Sequence, residues 1–243
     1  MPISLRTLEC LLGKPTLENR RVILSLLEVN PDAKLLDCGC GAGEITMEIA
    51  RQVGTKQVWG IEIVENAAAK AEERGIKVSR GDLNEPFPFD SENFDIVHAA
   101  NIIEHLYDTD MFLEEVHRVL KVGGYFLVST CNLAALHNIF SLLLGRQPPL
   151  AQVSDKIMVG MWSSKGGPWT EYLEPRRPQH RRIFTLKALE GLLQYYGFHV
   201  EKSVGAGFYP LPLVLAGVMC KVDKRHSAYI AVKARKIANE ATS

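Results

Sequence analysis

Along residues 34–130 two kinds of hydrophobic pattern take turns, short apolar runs and stretches with apolar residues at helical spacing. The short runs at 34–38, 57–63, 77–80, 94–99 and 125–130 predict strands. Between them, 43–52, 65–74 and 108–120 predict helices. The last is the most regular: Phe112, Leu113, Val116, Val119 and Leu120 form one stripe, Asp108 stands at the N-cap position, and Gly123-Gly124 is the expected stop. A leading helix over 16–28 carries Ile23, Leu26 and Leu27 and ends at the turn Asn30-Pro31-Asp32. Strands that alternate with helices join through right-handed crossovers, so the pattern predicts an α/β doubly wound parallel sheet covered on both faces.

Residues 131–183 break this rhythm with an apolar run at 133–144, a Gly/Pro-rich loop, and the cluster Arg176, Arg177, Arg181 and Arg182. A helix over 186–196 follows, with Thr185 as its cap, Phe184 and Leu189 as a hydrophobic staple and Gly197 as its end. Stretches 199–203 and 228–234 predict two closing strands as an antiparallel pair, and 239–243 reads as a frayed end. The expected organisation is one domain over 1–243: a helical lead (1–32), a ligand-binding core (33–130), an insertion or lid (131–183) and a closing helix with strands (184–238).

Composition narrows the partners. Lys plus Arg number 28 and Asp plus Glu 28, so no global field collects nucleic acid or an anionic membrane. The five cysteines are odd in number and scattered, which suits a reducing compartment. With no signal-peptide pattern and no apolar stretch of about 18 residues, the expectation is a cytoplasmic protein.

The candidate chemistry lies in Leu35-Leu36-Asp37-Cys38-Gly39-Cys40-Gly41-Ala42-Gly43, where glycines alternate directly after a predicted strand and before a helix. Lacking Cβ atoms, they let the backbone turn tightly against a ligand, and the helix offers its first amides. Glu44 at the next position leaves GxGxG and not the GxGxxG of dinucleotide dehydrogenases. Glu62 ends the second strand about 20 residues on, the separation at which a carboxylate accepts from ribose hydroxyls. Asp82 follows the third strand, where a carboxylate can accept from an adenine amino group. Singly, each acid is as well read as a solvated loop residue; together they outline an adenosine pocket.

The runs LLDCGCGAG, VWGIE, GDL, FDIVHAANIIEHL and HRVLKVGGYFLVST resemble the class I S-adenosylmethionine-dependent methyltransferases, in the branch of ubiquinone-biosynthesis and other small-molecule enzymes. The resemblance implies a Rossmann-like seven-stranded sheet of order 3-2-1-4-5-7-6 with the seventh strand antiparallel. It also implies that Gly39, Gly41 and Gly43 face the methionine part of the donor, Glu62 the ribose and Asp82 the adenine. Ile63 and Leu83 flank those acids, Asn101 faces the crevice after the fourth strand, and Asp37 orients the loop. S-adenosylmethionine is the implied donor and S-adenosylhomocysteine the product.

Glu104 and His105 follow the fourth strand on the same rim. His105 is the candidate general base and Glu104 its companion; the alternative is that His105 only packs the next loop. Some relatives carry ExxEH here and bind a divalent cation. Asn101 occupies the first position of that pattern, and His180 is the residue that would complete a set with Glu104 and His105. The acceptor pocket is expected from 131–183 and 207–226. Their apolar runs, 133–144 and 208–220, read as core or as a hydrophobic mouth for a lipid-like acceptor that touches a membrane surface. The four arginines are a solvated loop or a clamp for an acidic acceptor. An RNA acceptor is not favoured, because aromatic residues are not interleaved with the basic ones. A methyltransferase of a small-molecule or lipid-like acceptor is the leading expectation, and a catalytically silent binding module the alternative.

Overall fold

The computed structural model describes residues 15–154, 157–160, 169–172, 179–209 and 211–238. Its strands are β1 (Lys34–Cys38), β2 (Gln57–Glu62), β3 (Lys77–Arg80), β4 (Phe94–Ala100), β5 (Leu120–Cys131), β6 (Ile157–Val159), β7 (Trp169–Tyr172), β8 (Phe198–Ala206) and β9 (Tyr229–Lys236). The helices are α1 (Pro15–Leu24), α2 (Glu44–Val53), α3 (Glu65–Glu73), α4 (Thr109–Val119), α5 (Leu136–Leu143), α6 (Leu186–Tyr195) and α7 (Leu213–Val222). Seven strands form one sheet in the order β3-β2-β1-β4-β5-β9-β8, and β6 pairs with β7 as a separate hairpin. Strands β1 to β5 pair in parallel, while β9 runs antiparallel to both β5 and β8. With the hairpin set aside, this is the 3-2-1-4-5-7-6 sheet implied by the resemblance.

Burial explains each element. Four of the five residues of β1 are buried between β2 and β4, as expected of a strand covered on both faces. On α2 the buried positions are Thr46, Ile49, Ala50 and Val53, one helical stripe, and Gly54 closes the helix in a left-handed conformation by donating to Ala50 O at 2.8 Å. On α4, Phe112, Leu113, Val116 and Val119 are buried, and the Asp108 side chain accepts from the Met111 amide at 2.9 Å. Thr185 caps α6 in the same way, accepting from Ala188 N.

Four expectations change. The leading helix ends at Leu24, short of residue 28. Helix α4 ends at Val119, and β5 begins at once at Leu120, so Gly123-Gly124 lies inside a strand and stops no helix. The pairing of β4 with β5 shifts between Phe94 and Ile96, and a Cβ on Gly124 would stand 2.8 Å from Asp95 O. These glycines serve the close approach of two strands. The run 133–144 carries α5, but most of its apolar side chains stay outside the core. Phe140, Leu142, Leu143 and Leu144 are exposed, and the helix buries Asn138 and Ser141. In α7 likewise, Leu215, Val218 and Val222 are exposed. Periodicity finds a stripe but does not say which way it faces. Among the described residues no helix is long and apolar enough to cross a membrane.

Phe112 is fully buried, so Phe112→Ala should lower the free energy of unfolding by about 3–5 kcal/mol. Leu143→Ser, on the exposed side of α5, should change it by no more than about 0.5 kcal/mol. Urea denaturation of the two variants measures both, and equal losses would contradict this packing.

Candidate functional site

The turn after β1 uses backbone angles that glycine adopts readily: φ is +77° at Gly39, +55° at Gly41 and +85° at Gly43. Gly39 N and Cys40 N donate to Ile61 O at 2.8 and 3.2 Å, tying the turn to β2. Glu62, at the end of β2, closes it from the side. Its Oε2 accepts from Gly41 N at 2.9 Å and its Oε1 from Val64 N at 2.8 Å. Each carboxylate oxygen keeps a further lone pair, the acceptor set that a vicinal diol requires.

A Cβ on Gly41 would meet nothing within 4 Å. The turn borders a cavity of about 190 Å³ whose wall includes Asp37, Gly39, Ala42, Ile45, His98 and Ala100. Gly43 has another task. A Cβ there would lie 2.6 Å from Ile76 Cδ1 and 3.3 Å from Ala71 Cα, so it lets α2 approach α3 and is not part of the cavity wall.

Beside the cavity lies a buried polar chain. Thr46 Oγ1 donates to Asp37 Oδ2 at 2.5 Å, Asp37 Oδ1 stands 2.7 Å from His98 Nδ1, and His98 Nε2 is buried with no partner. Burial, with Asp37 and Glu62 adding to it, pushes the Cys40 thiol up to about 12, so it stays protonated. Asp37 pins the first turn of α2 through Thr46.

The remaining donor-side residues sit on neighbouring loops. Gly81 N donates to Glu62 O at 3.3 Å, which sets the chain leaving β3, with Asp82 the next residue, beside the end of β2. Asp82 is exposed, and its Oδ1 accepts from Asn84 N and Nδ2 at 2.9 and 2.7 Å, organising its own loop. Leu83 is buried, and its Cδ1 lies 3.9 Å from the position a Gly39 Cβ would take; Ile63 is exposed. Asn101 follows β4 with φ +54°, a left-handed conformation unusual outside glycine, and its side-chain Oδ1 is buried without a partner. Such strain persists where its surroundings hold it, commonly at functional sites.

A second cluster forms beyond Asn101. Glu104 and His105 lie on the short turn Ile103–His105. Glu104 is buried and neither carboxylate oxygen makes a hydrogen bond. Burial pushes its carboxyl above the ordinary range, against the opposing pull of its own backbone, Thr130, His180 and the Cys131 backbone. His105 Nδ1 lies 3.0 Å from Gln179 O, and His180 Nδ1 lies 3.0 Å from Leu150 O. A carbonyl only accepts, so Nδ1 carries a proton in both rings. The two rings are 5.0 Å apart. Burial holds His105 below the ordinary histidine range, opposed by Gln179 O.

Arg181 N and Arg182 N donate to Glu104 O at 2.6 and 3.1 Å, which brings the segment carrying His180 against the turn. Both guanidinium groups engage Tyr107, Arg181 through its hydroxyl and ring face and Arg182 through its carbonyl. They fasten this segment and are not a bare anion clamp; Arg176 and Arg177 lie outside the described residues. Among the described residues, the group with ligand atoms within 4.8 Å of one another is Glu104, Cys131 and His180, so Cys131 stands where the sequence reading placed His105. Burial and Glu104 push the Cys131 thiol up to about 12, so a metal there would have to displace its proton.

Sequence reasoning missed His98, Thr46 and Cys131. One signal was available: His98 interrupts the apolar run of β4, and the structure pairs it in register with Asp37 on the neighbouring strand.

A methyltransferase domain family matches residues 30–173, more than half of the chain. The ubiquinone biosynthesis O-methyltransferase of Rattus norvegicus is 24% identical over 185 residues, 73% of this chain and 47% of that one. The demethylmenaquinone methyltransferase of Staphylococcus epidermidis is 32% identical over 111 residues, 43% of this chain and 46% of that one. The chain thus spans about half the length of these curated relatives. Among solved structures, an S-adenosylmethionine-dependent methyltransferase from Mesorhizobium loti superposes with a TM-score of 0.61 at 20% identity, covering 92% of this chain and 98% of that one. The [4+2]-cyclase SpnF superposes with 0.57 at 19% identity over 91% of this chain and 81% of its own. Likeness at that identity shows the fold alone. The chain belongs to the S-adenosylmethionine-dependent methyltransferase family. S-adenosylmethionine is the cofactor of that family, and the turn, the Glu62 carboxylate and the cavity beside Gly41 fit it.

Removing the Glu62 carboxylate deletes two charge-assisted bonds that shape the turn as well as the diol acceptor. Glu62→Ala should weaken S-adenosylhomocysteine binding by about tenfold or more, and NAD should not bind either protein. Titration calorimetry checks both, and unaltered affinity would remove Glu62 from the site.

Proposed function

We propose that the protein transfers the methyl group of S-adenosylmethionine to an apolar small-molecule or lipid-like acceptor at the carboxyl rim of the sheet. The observation that carries this reading is the Glu62 carboxylate fastened to the Gly41 amide beside an open cavity. In open α/β sheets that is where ligands bind. On this reading Asp37, Gly39 and Gly41 border the methionine end of the donor, while Gly43 supports the turn from behind. Glu62 and Ile63 hold the ribose, Asp82 and Leu83 the adenine, and Asn101 the crossing to the acceptor.

The donor supplies a methyl group already activated on a sulfonium. The protein's part is to align the acceptor, exclude water and take up a proton. His105 suits the last task, because Gln179 O fixes its tautomer with the Nε2 lone pair available. The new bond forms between acceptor and methyl, the sulfur–methyl bond breaks, and the acceptor's proton passes to His105 Nε2. Glu104, buried and unpartnered, stands beside it as an acceptor for a second hydroxyl or a metal ligand with Cys131 and His180.

The exposed apolar side chains of α5 and α7 support an apolar acceptor and contact with a membrane surface. So do the relatives named for ubiquinone biosynthesis and demethylmenaquinone. The basic C-terminal strand offers little to RNA. Lys233 and Arg235 pair with Glu28 and Glu201, and Lys236 with Glu92. The described cysteines are free thiols, which supports a cytoplasmic setting.

Incubation with methyl-labelled donor and a cell extract should place the label in a small molecule that partitions into organic solvent. Label in RNA or protein would overturn the acceptor class, and no transfer with intact donor binding would favour a silent binding module. His105→Ala should lower kcat by about a hundredfold to ten-thousandfold with S-adenosylhomocysteine binding retained. Because burial lowers the pKa of His105, its base form persists as pH falls through about 6.5. The pH profile of kcat should therefore hold level through that value and decline only below it. A decline centred at or above it would exclude His105 as the base.

A further inference from the structure

We infer that His98, held by Asp37, is the acceptor for the ammonium group of the donor's amino-acid end; this rests on the reading of the site given above. His98 is 2% exposed and Asp37 3% exposed. They stand opposite each other on adjacent buried strands, an expensive place for two polar groups unless each is used. The use of Asp37 is visible: Oδ2 accepts from Thr46 Oγ1 at 2.5 Å and Oδ1 faces His98 Nδ1 at 2.7 Å. His98 is satisfied on one side only. Its Nε2 is buried with no partner, and His98 is one of the residues that line the cavity beside Gly41.

The direction of that vacant bond follows from the pair. Nδ1 points its hydrogen at a carboxylate, so Nε2 offers a lone pair, and the carboxylate behind the ring adds a negative field. The matching ligand is a cationic N–H donor. The same cavity is lined by Ala42, Glu44 and Ile45 at the start of α2, the Glu44 carboxylate being paired with Arg74. The first amides of α2 have no intrahelical partner and carry the positive end of the helix. The cavity therefore takes an ammonium and a carboxylate, the two ends of an α-amino acid. Asp37 is then a positioning residue that acts through His98, and His98 touches the ligand.

The test compares the affinities of the whole protein and of His98→Phe for three ligands by calorimetry. These are S-adenosylhomocysteine, its deamino analogue with the carboxylate kept, and 5′-methylthioadenosine, which lacks the amino-acid end. The native protein should prefer S-adenosylhomocysteine to the deamino analogue by about tenfold or more, and the variant should lose that preference while binding the deamino analogue as before. A variant that keeps the preference, or loses affinity equally for all three ligands, overturns the inference. If the variant does not fold, the native protein decides alone. The ¹⁵Nε2 resonance of His98 should shift with S-adenosylhomocysteine and stay in place with the deamino analogue, and a shift shared by both would count against it. Native protein that binds none of the three would overturn the site itself, a result distinct from failure of His98.

Discussion

The bond from the Gly41 amide to the Glu62 carboxylate is the contact on which the rest of the site depends. A turn with three positive φ angles in five residues has few intrinsic reasons to hold one shape. It is held because its amides are claimed from outside, Gly39 and Cys40 by Ile61 O and Gly41 by Glu62. Ile61 and Glu62 are placed by the sheet, since β1 and β2 are locked in register from Lys34↔Gln57 to Cys38↔Ile61. The position of the turn is thus a property of the sheet, and α2 starts at its last glycine.

Strand β4 and the residues after it join two halves of the rim. His98 reaches the cavity beside the glycine turn, Asn101 bends the chain in a left-handed conformation, and Glu104 and His105 face His180. The glycine-turn side is built from neighbouring strand ends and short loops, its bonds joining β1, β2 and β4 with the start of α2. The far side is assembled from distant segments: the turn at 103–105 and the stretch before α6, tied together by Arg181 and Arg182 N–H bonds to Glu104 O, with Cys131 at the end of β5 beside them. Asn132 adds to this knot, donating to Arg225 O and Ser227 O at 2.8 and 2.7 Å.

That difference explains what could be read in the residues alone. The glycine turn, Glu62 and the Asp108 and Thr185 caps are encoded in short contiguous patterns, and the structure holds them where the patterns put them. The strand order came from family likeness, because periodicity carries no information about which strand lies beside which. The meeting of Glu104, Cys131 and His180 is long-range and left no local trace. His98 was visible only as a polar residue in an apolar run. The outward faces of α5 and α7 were left open between core and an exposed mouth, because an apolar run does not say which way it faces; here Asn138 and Ser141 take the buried side of α5. Gly123-Gly124 was misread because a glycine pair ends helices more often than it permits two strands to touch.

The most direct test of the central claim is a crystal structure of the protein grown with S-adenosylhomocysteine. The account predicts the adenosyl group over the turn of Gly39 and Gly41, with both ribose hydroxyls about 3 Å from the Glu62 carboxylate. Density for the ligand at any other place, or a Glu62 side chain swung away from Gly41 to leave the ribose unpaired, would contradict it.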